Sequence, residues 1–254
     1  MSVTDANPVY DYVLGLGDNS LVLGQRLSEW CGHGPVLEED IGLTNIALDL
    51  IGQARLLFSY AGELGGEGRT EDELAFLRDS CDFRNLLLVE QPNRDFGYTI
   101  ARQFLFDAYN LALFERLCDS SDRRLAEIAA KSVKEITYHL RHSSRWMIRL
   151  GDGTDESHLR IQQALDNLWM YTGELFEADA VTELMVANGV GVPPETLRPE
   201  WDERVDEVLR EATLTRPADQ WMTSGGRSGQ HTEHLGYLLA EMQFLQRAYP
   251  GAAW

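Results

Sequence analysis

Apolar side chains recur every three or four residues along almost the whole chain, which is the spacing of one face of an α-helix. No stretch shows the strict alternation of apolar and polar residues that is typical of a half-buried strand. We therefore predict an all-α protein. The long predicted helices cover about 10–30, 37–64, 95–117, 122–150 and 155–178, and two shorter amphipathic helices cover about 199–213 and 232–249.

A further segment, about 70–91, has a weaker helical pattern. Thr70 and Glu73 have the spacing of a capping box, so a helix is predicted to begin there. The pattern lapses over 78–84 and resumes over 86–89. It stops before Pro92, because proline cannot continue a helix.

The predicted helix over 95–117 is apolar on nearly all sides, and its apolar residues include Phe104, Phe106 and Leu111. A helix without a polar face belongs in the centre of a bundle. Long helices joined by short turns fit an antiparallel bundle. We predict a single domain over 1–254, with a core bundle over about 10–178 and a C-terminal helical appendage over about 195–254.

The formal net charge of −19 argues against nucleic acid as a partner, because binding phosphates requires a basic surface. No run approaches about eighteen apolar residues, so no membrane span is expected. Residues 1–10 have neither the basic start nor the apolar run of a secretory signal. Cys31, Cys81 and Cys118 show no C-x-x-C spacing, which favours reduced, mostly buried thiols. We predict a cytoplasmic protein.

Helical bundles that perform oxidative chemistry hold two irons with inward carboxylates and two Glu-x-x-His pairs. The chain contains no Glu-x-x-His. One degenerate position is Asp49, with Gly52 three residues later. Another is Glu135, with Tyr138 at the same offset, and Asp107 is a further acid on an apolar helix. Because neither glycine nor a phenol replaces an imidazole ligand, we predict no metal and no catalytic residue in this chain.

The acids at these positions are expected to be paired with protein groups instead of a metal. His139 lies four residues after Glu135, and an i, i+4 hydrogen bond between them is favoured over metal ligation. Asp49 and Gln53 are expected to form a buried polar pair. Asn110 or a nearby arginine is a further candidate partner.

Three other groups of residues could either take part in chemistry or have a purely structural role. His231 and His234 open the last predicted helix, where metal binding is the minor alternative. His158 has ligand-like spacing after an acid but is expected in the exposed first turn of a helix. The glycine-rich segment 225–229 is interpreted as a flexible turn, because a phosphate cradle would follow a strand.

Short stretches of distinctive sequence occur in order along nearly the whole chain. They are LGDN (16–19), RLSEWCGH (26–33), NIALDLIGQAR (45–55), NLLLVEQPN (85–93), KEITYHLR (134–141), LGDGTD (150–155), ELF (174–176), HTEHLG (231–236) and AEMQ (240–243). Together they resemble the C subunits of ring-1,2-phenylacetyl-CoA epoxidase. The resemblance implies a ferritin-like fold and membership of an oxygenase complex.

In that family a homologous A subunit holds a di-iron centre and a small B subunit bridges assemblies. A separate reductase, with flavin and iron–sulfur groups, supplies electrons from NADPH. For this chain the resemblance implies a structural role beside the A subunit, with no cofactor of its own.

Contact with the phenylacetyl-CoA substrate is predicted, if anywhere, at Arg78, Arg84 and Asn85. These residues lie where the helical pattern lapses, and basic groups are scarce in so acidic a chain. Two alternatives remain: the chain is itself a di-iron oxygenase or ferroxidase, or it is a stand-alone helical interaction module.

Overall fold

The computed structural model describes residues 7–252, and this part of the chain contains helices and turns but no strand. The all-α prediction is confirmed. The α-helices in this range are α1 (Pro8–Ser28), α2 (Leu37–Gly65), α3 (Glu71–Phe76), α4 (Phe96–Leu117), α5 (Arg123–Gly151), α6 (Asp155–Leu168), α7 (Ala180–Ala187), α8 (Arg198–Glu211), α9 (Glu233–Met242) and α10 (Phe244–Ala248).

The helix boundaries follow from side chains that satisfy free backbone groups. Asn7 and Asp122 cap α1 and α5, each accepting a hydrogen bond from a backbone N–H of the first turn. Thr70 forms the predicted capping box at the start of α3, and Thr154 caps α6 in the same way. Gly66 ends α2 with a φ of 67°, a conformation that glycine adopts without steric cost.

Four long helices, α1, α2, α4 and α5, form the bundle, and α6 packs against α4 and α5. Helix α4 lies at its centre, because every residue from 97 to 114 is buried. Phe104 is fully buried and Leu111 is 6% exposed. The prediction that this helix is central is therefore confirmed.

Helix α2 is long and apolar enough, by length and composition alone, to cross a membrane. Core helices of soluble proteins pass the same test, and α2 packs against α1 and α5 through residues such as Leu43, Leu50 and Leu57. Less than half of its most apolar window is buried, however. Helix α2 also exposes apolar side chains, among them Ile41 and Leu48.

The C-terminal helices are attached to the bundle by side chains that reach α4. Trp201 of α8 is fully buried, and its indole N–H donates to the backbone oxygen of Leu105 at 3.0 Å. Its ring also packs edge-on against Phe176, with the ring centroids 5.3 Å apart. This packing favours one folding unit, which stays a prediction until unfolding is measured.

Among the stretches that differ from the predicted helices are 86–89 and the end of 155–178. Residues 86–89 form turns, because the N–H of Leu86 donates to the Asn19 side chain and that of Leu87 donates to Glu174. Those long-range acceptors replace the helical hydrogen bonds of this segment. The predicted helix 155–178 ends at Leu168 and continues as 3₁₀ turns.

The thiols also differ from expectation. Cys31 and Cys81 are exposed and Cys118 is partly exposed, and all three are free. The prediction of mostly buried thiols was wrong because Cys31 lies in the turn after α1 and Cys81 in the short 3₁₀ turn Ser80–Asp82, which pack little against the core.

Candidate functional site

A layer of polar side chains crosses the otherwise apolar bundle between α2, α4 and α5. We call it the polar layer; it comprises Asp49, Gln53, Gln103, Asp107, Glu135, His139 and Ser143. Every predicted degenerate metal position that is a carboxylate or a histidine belongs to it. In a ferritin-like bundle this is where a metal centre would lie.

Hydrogen bonds between α2 and α5 hold one side of the polar layer. Gln53 donates its amide to Glu135 at 2.9 Å, and His139 Nε2 lies 3.0 Å from Asp49 Oδ2. The predicted pairings, Glu135 with His139 and Asp49 with Gln53, were wrong. Residues four apart on each helix both face the neighbouring antiparallel helix, so each pair bonds across the interface instead of along its own helix.

Asp107 forms the other side of the polar layer, on the central helix. Its two carboxyl oxygens accept hydrogen bonds from Gln103 at 2.7 Å and from Ser143 at 2.8 Å. Asn110, predicted as a partner, does not bond to it. Burial raises the pKa of Asp107 to about 7, although the charge of His139 and these hydrogen bonds act to lower it.

The raised pKa of Asp107 predicts how stability depends on pH. Its carboxyl group binds a proton in the folded protein up to about pH 7 but only up to its ordinary pKa of 3.8 when unfolded. Its contribution to stability is therefore lost as pH rises from about 4 through 7. Asp107→Asn is expected to raise the free energy of unfolding by about 1.5 kcal/mol at pH 5 and by up to about 4 kcal/mol at pH 8.

Urea denaturation at both pH values measures the effect of Asp107→Asn. Asp119→Asn is the matched control, because Asp119 is exposed at the end of α4 and should show no such dependence. Equal effects of Asp107→Asn at pH 5 and pH 8 would contradict a raised pKa of Asp107 in the folded protein.

Gly52 and Tyr138, the positions where imidazoles would complete a metal site, face outward. Gly52 is exposed, and the Tyr138 side chain is 40% exposed. His139, one residue later, is fully buried in the polar layer. The residue three positions after each acid, where a Glu-x-x-His pair would place its imidazole, therefore lies at the surface in both α2 and α5.

The side chains of the polar layer do not fit a two-iron centre. Each carboxylate in it already accepts a hydrogen bond from an amide, a hydroxyl or an imidazole. Among residues 7–252, no three His, Cys, Asp or Glu side chains are grouped as metal ligands. Two irons need about six such ligands around one space.

The predicted substrate contacts divide into internal and accessible residues. Arg78 is 6% exposed and forms an ion pair with Asp18, which is fully buried. Asn85 is also fully buried and donates to Glu90 at 2.9 Å. Arg84 alone is partly exposed, beside a cavity of about 150 Å³ between α1, α4 and α7.

Comparison with known proteins places these features in a family. The family model described as "Phenylacetic acid catabolic protein" matches residues 1–254. The chain belongs to the phenylacetic acid catabolic protein family. It is also 55% identical over 248 residues to the C subunit of the 1,2-phenylacetyl-CoA epoxidase of Escherichia coli (strain K12), a match that covers 98% of this chain and all of that protein. The predicted family resemblance is confirmed.

A second buried cluster in this family member surrounds Glu90. The Glu90 carboxylate is fully buried and accepts hydrogen bonds from Asn85, His231 and the N–H and hydroxyl of Thr232. The other ring nitrogen of His231 bonds to the backbone oxygen of Phe83 at 3.0 Å. Burial lowers the pKa of His231, but the hydrogen bond and charge of Glu90 outweigh it and raise that pKa. Both ring nitrogens are thus used in joining the last helices to the bundle.

The glycine-rich segment 225–229 is held by a carboxylate of the chain itself. Glu174 accepts hydrogen bonds from the N–H groups of Gly225 and Gly226 and from that of Leu87. Burial raises the pKa of Glu174, although these backbone donors act to lower it. The backbone donors that could have bound a phosphate are therefore occupied by Glu174.

The sequence did not lead us to predict the buried hydrogen-bonding roles of Glu90 and Glu174. It also did not predict that Ser143 belongs to the polar layer. Glu90 and Glu174 had one available signal, since each is an acid that directly adjoins apolar residues within a distinctive stretch. Ser143 had none, because a serine within a helix is ordinary and its partner Asp107 lies 36 residues away.

Proposed function

We propose that this chain is the C subunit of an epoxidase complex that converts phenylacetyl-CoA to its ring-1,2-epoxide. The full-length likeness to the C subunit from Escherichia coli supports this assignment. In the proposed complex this chain takes no direct part in the chemistry. A homologous A subunit holds the di-iron centre, a small B subunit bridges assemblies, and a separate reductase with flavin and iron–sulfur groups supplies electrons from NADPH.

The polar layer supports the non-catalytic role. A layer built to bind metal would leave carboxylate oxygens facing a common space, whereas Asp49, Asp107 and Glu135 each face a protein partner. Buried polar groups that bond across helices fix the register in which those helices pack. The proposed task of this chain is therefore to present a rigid surface to the catalytic subunit, in the cytoplasm.

A substrate contact is proposed only at Arg84. The guanidinium group of Arg78 and the amide of Asn85 are committed to internal partners. Arg84 donates to the backbone oxygens of Cys81 and Phe83 and still borders an accessible cavity.

Co-expression with the catalytic and bridging subunits tests the proposed function. Native mass measurement should find this chain in a stable hetero-oligomer, with iron following the catalytic subunit. A chain that stays a monomer at micromolar concentration beside those subunits would exclude the proposal and favour a stand-alone module. Stoichiometric iron retained by the isolated chain after chelation would favour a di-iron enzyme instead.

A further inference from the structure

The outer face of α5 is a straight basic stripe. It consists of Lys131, Lys134, Tyr138, Arg141, Arg145 and Arg149, all exposed. Their spacing of three or four residues keeps them on one line along the helix. At 1.5 Å per residue the stripe is about 27 Å long. No acidic residue interrupts it, since Glu135 turns toward α2 to bond with Gln53.

The basic stripe is exceptional in this protein. The chain carries a net charge of −19, and its only two lysines are both in the stripe. None of the five cations forms an ion pair with any residue between 7 and 252. Most other arginines on the surface, such as Arg123 and Arg160, do pair with a neighbouring acid. Five neighbouring cations without an acidic partner in the described part of the chain therefore lie along this line.

Beside the stripe, α2 exposes apolar side chains. Leu37, Ile41 and Leu48 are 72%, 52% and 61% exposed, and their spacing places them on one face of the helix. The polar layer holds α2 directly alongside α5, so the two exposed faces adjoin. A groove of about 390 Å³ runs next to Tyr138, between the start of α2 and the end of α8.

Gly52 gives an independent indication of close approach. It lies in the middle of α2, where glycine destabilises a helix relative to alanine. A Cβ atom added at Gly52 would contact nothing within 4 Å, so packing inside this chain does not require the glycine. A glycine on an exposed face, next to Leu48, fits a site where another backbone comes close.

We propose that this α2–α5 face, meaning the basic stripe with Leu37, Ile41, Leu48 and Gly52, is the docking surface for an acidic, helical face of the catalytic subunit. The inference rests on the proposed function and names the surface through which the complex is held. Unpaired cations attract an acidic protein surface over about a Debye length and set its orientation. The exposed apolar side chains of α2 and the absence of a side chain at Gly52 then allow a closely packed centre of the interface from which water is excluded.

An acidic protein is favoured over the other anions that a basic stripe attracts. Nucleic acid and anionic membranes are extended surfaces that would also meet the acidic remainder of a chain of charge −19. A partner protein can place its acids opposite the stripe alone. A second copy of this chain would have to offer an acidic stripe of matching length.

Charge reversal tests the basic stripe directly. Arg141→Glu with Arg145→Glu is expected to weaken binding to the co-expressed catalytic subunit at least about tenfold, mainly at low salt. The control Arg69→Glu with Arg160→Glu changes the net charge equally on other exposed faces and should leave the affinity within about twofold. Unchanged affinity of the Arg141 and Arg145 variant, while the wild type assembles, overturns this inference and leaves the proposed function standing.

Gly52→Leu tests the apolar part of the α2–α5 face with two opposed readouts. Leucine is the better helix former, so the melting temperature of the isolated chain should stay the same or rise while the complex weakens at least about tenfold. Gly236→Leu is the matched control, because Gly236 is also helical, exposed and free of neighbours within 4 Å. It should raise the melting temperature similarly and leave the complex intact.

Two further outcomes identify a different occupant. One outcome is that the wild type binds vesicles of phosphatidylserine and phosphatidylcholine while the variant with Arg141→Glu and Arg145→Glu does not. That outcome would overturn the proposal in favour of a membrane. A homodimer of the isolated chain that dissociates on Gly52→Leu would overturn it in favour of a second copy. Failure of the wild type to bind the catalytic subunit overturns both this inference and the proposed function.

Discussion

Replacing Asp18 by asparagine is expected to lower the free energy of unfolding by about 3–5 kcal/mol, because it leaves the charge of Arg78 buried without a counter-ion. Asp18 is fully buried and Arg78 is 6% exposed. The Asp18 carboxylate accepts hydrogen bonds from both terminal nitrogens of Arg78 and from the backbone N–H of Arg84 at 2.9 Å. An amide keeps the shape of the side chain but removes its charge and one acceptor.

Urea denaturation of Asp18→Asn measures this loss, with Glu127→Gln as the control. Glu127 pairs with Arg123 on the surface of α5, and exposed pairs of this kind contribute less than about 1 kcal/mol. If the two substitutions had similar effects, the ion pair of Arg78 would not be structural, and Arg78 would return to the residues considered for substrate contact.

Trp201→Ala is expected to lower the free energy of unfolding by about 3–5 kcal/mol while the protein still unfolds in one transition. Trp201 is fully buried against α4, and its ring lies 5.6 Å from that of Trp169 between centroids. Removing it also leaves the backbone oxygen of Leu105 without the indole donor. The damage should reach the bundle because α8 packs directly on its central helix.

Calorimetry of Trp201→Ala decides whether the bundle and the C-terminal helices form one domain. The control is Trp221→Ala, since Trp221 is 71% exposed and should contribute little. Two separate transitions, with only the smaller one shifted by Trp201→Ala, would show that the C-terminal helices fold as a unit of their own.

Local pattern was sufficient to predict the four long helices α1, α2, α4 and α5. The apolar run of α4 predicted its central place, and Thr70 with Glu73 predicted the start of α3. The turns at 86–89 could not be predicted this way, because their backbone bonds to Asn19 and Glu174, which are 67 and 87 residues distant along the chain. Propensity gives no information about acceptors that the tertiary fold brings in.

The members of the polar layer were mostly predictable, but their pairing was not. An acid at the core-facing position of a helix must find a partner, so Asp107 and Glu135 were identified from the sequence. Which partner each finds depends on the register of α2, α4 and α5. A pairing along one helix is visible in sequence, whereas the pairing of Glu135 with Gln53 across 82 residues requires the register to be known.

Turnover and iron content of an assembled complex containing Glu135→Gln test the central claim most directly. Glutamine can still accept the hydrogen bond from Gln53, but it removes the charge that a metal ligand would need. If this chain is a structural subunit, iron per complex stays the same and turnover per assembled complex stays within about twofold, even if assembly is less stable. Loss of iron, or a fall in turnover of about a hundredfold or more in a fully assembled complex, would contradict the structural role.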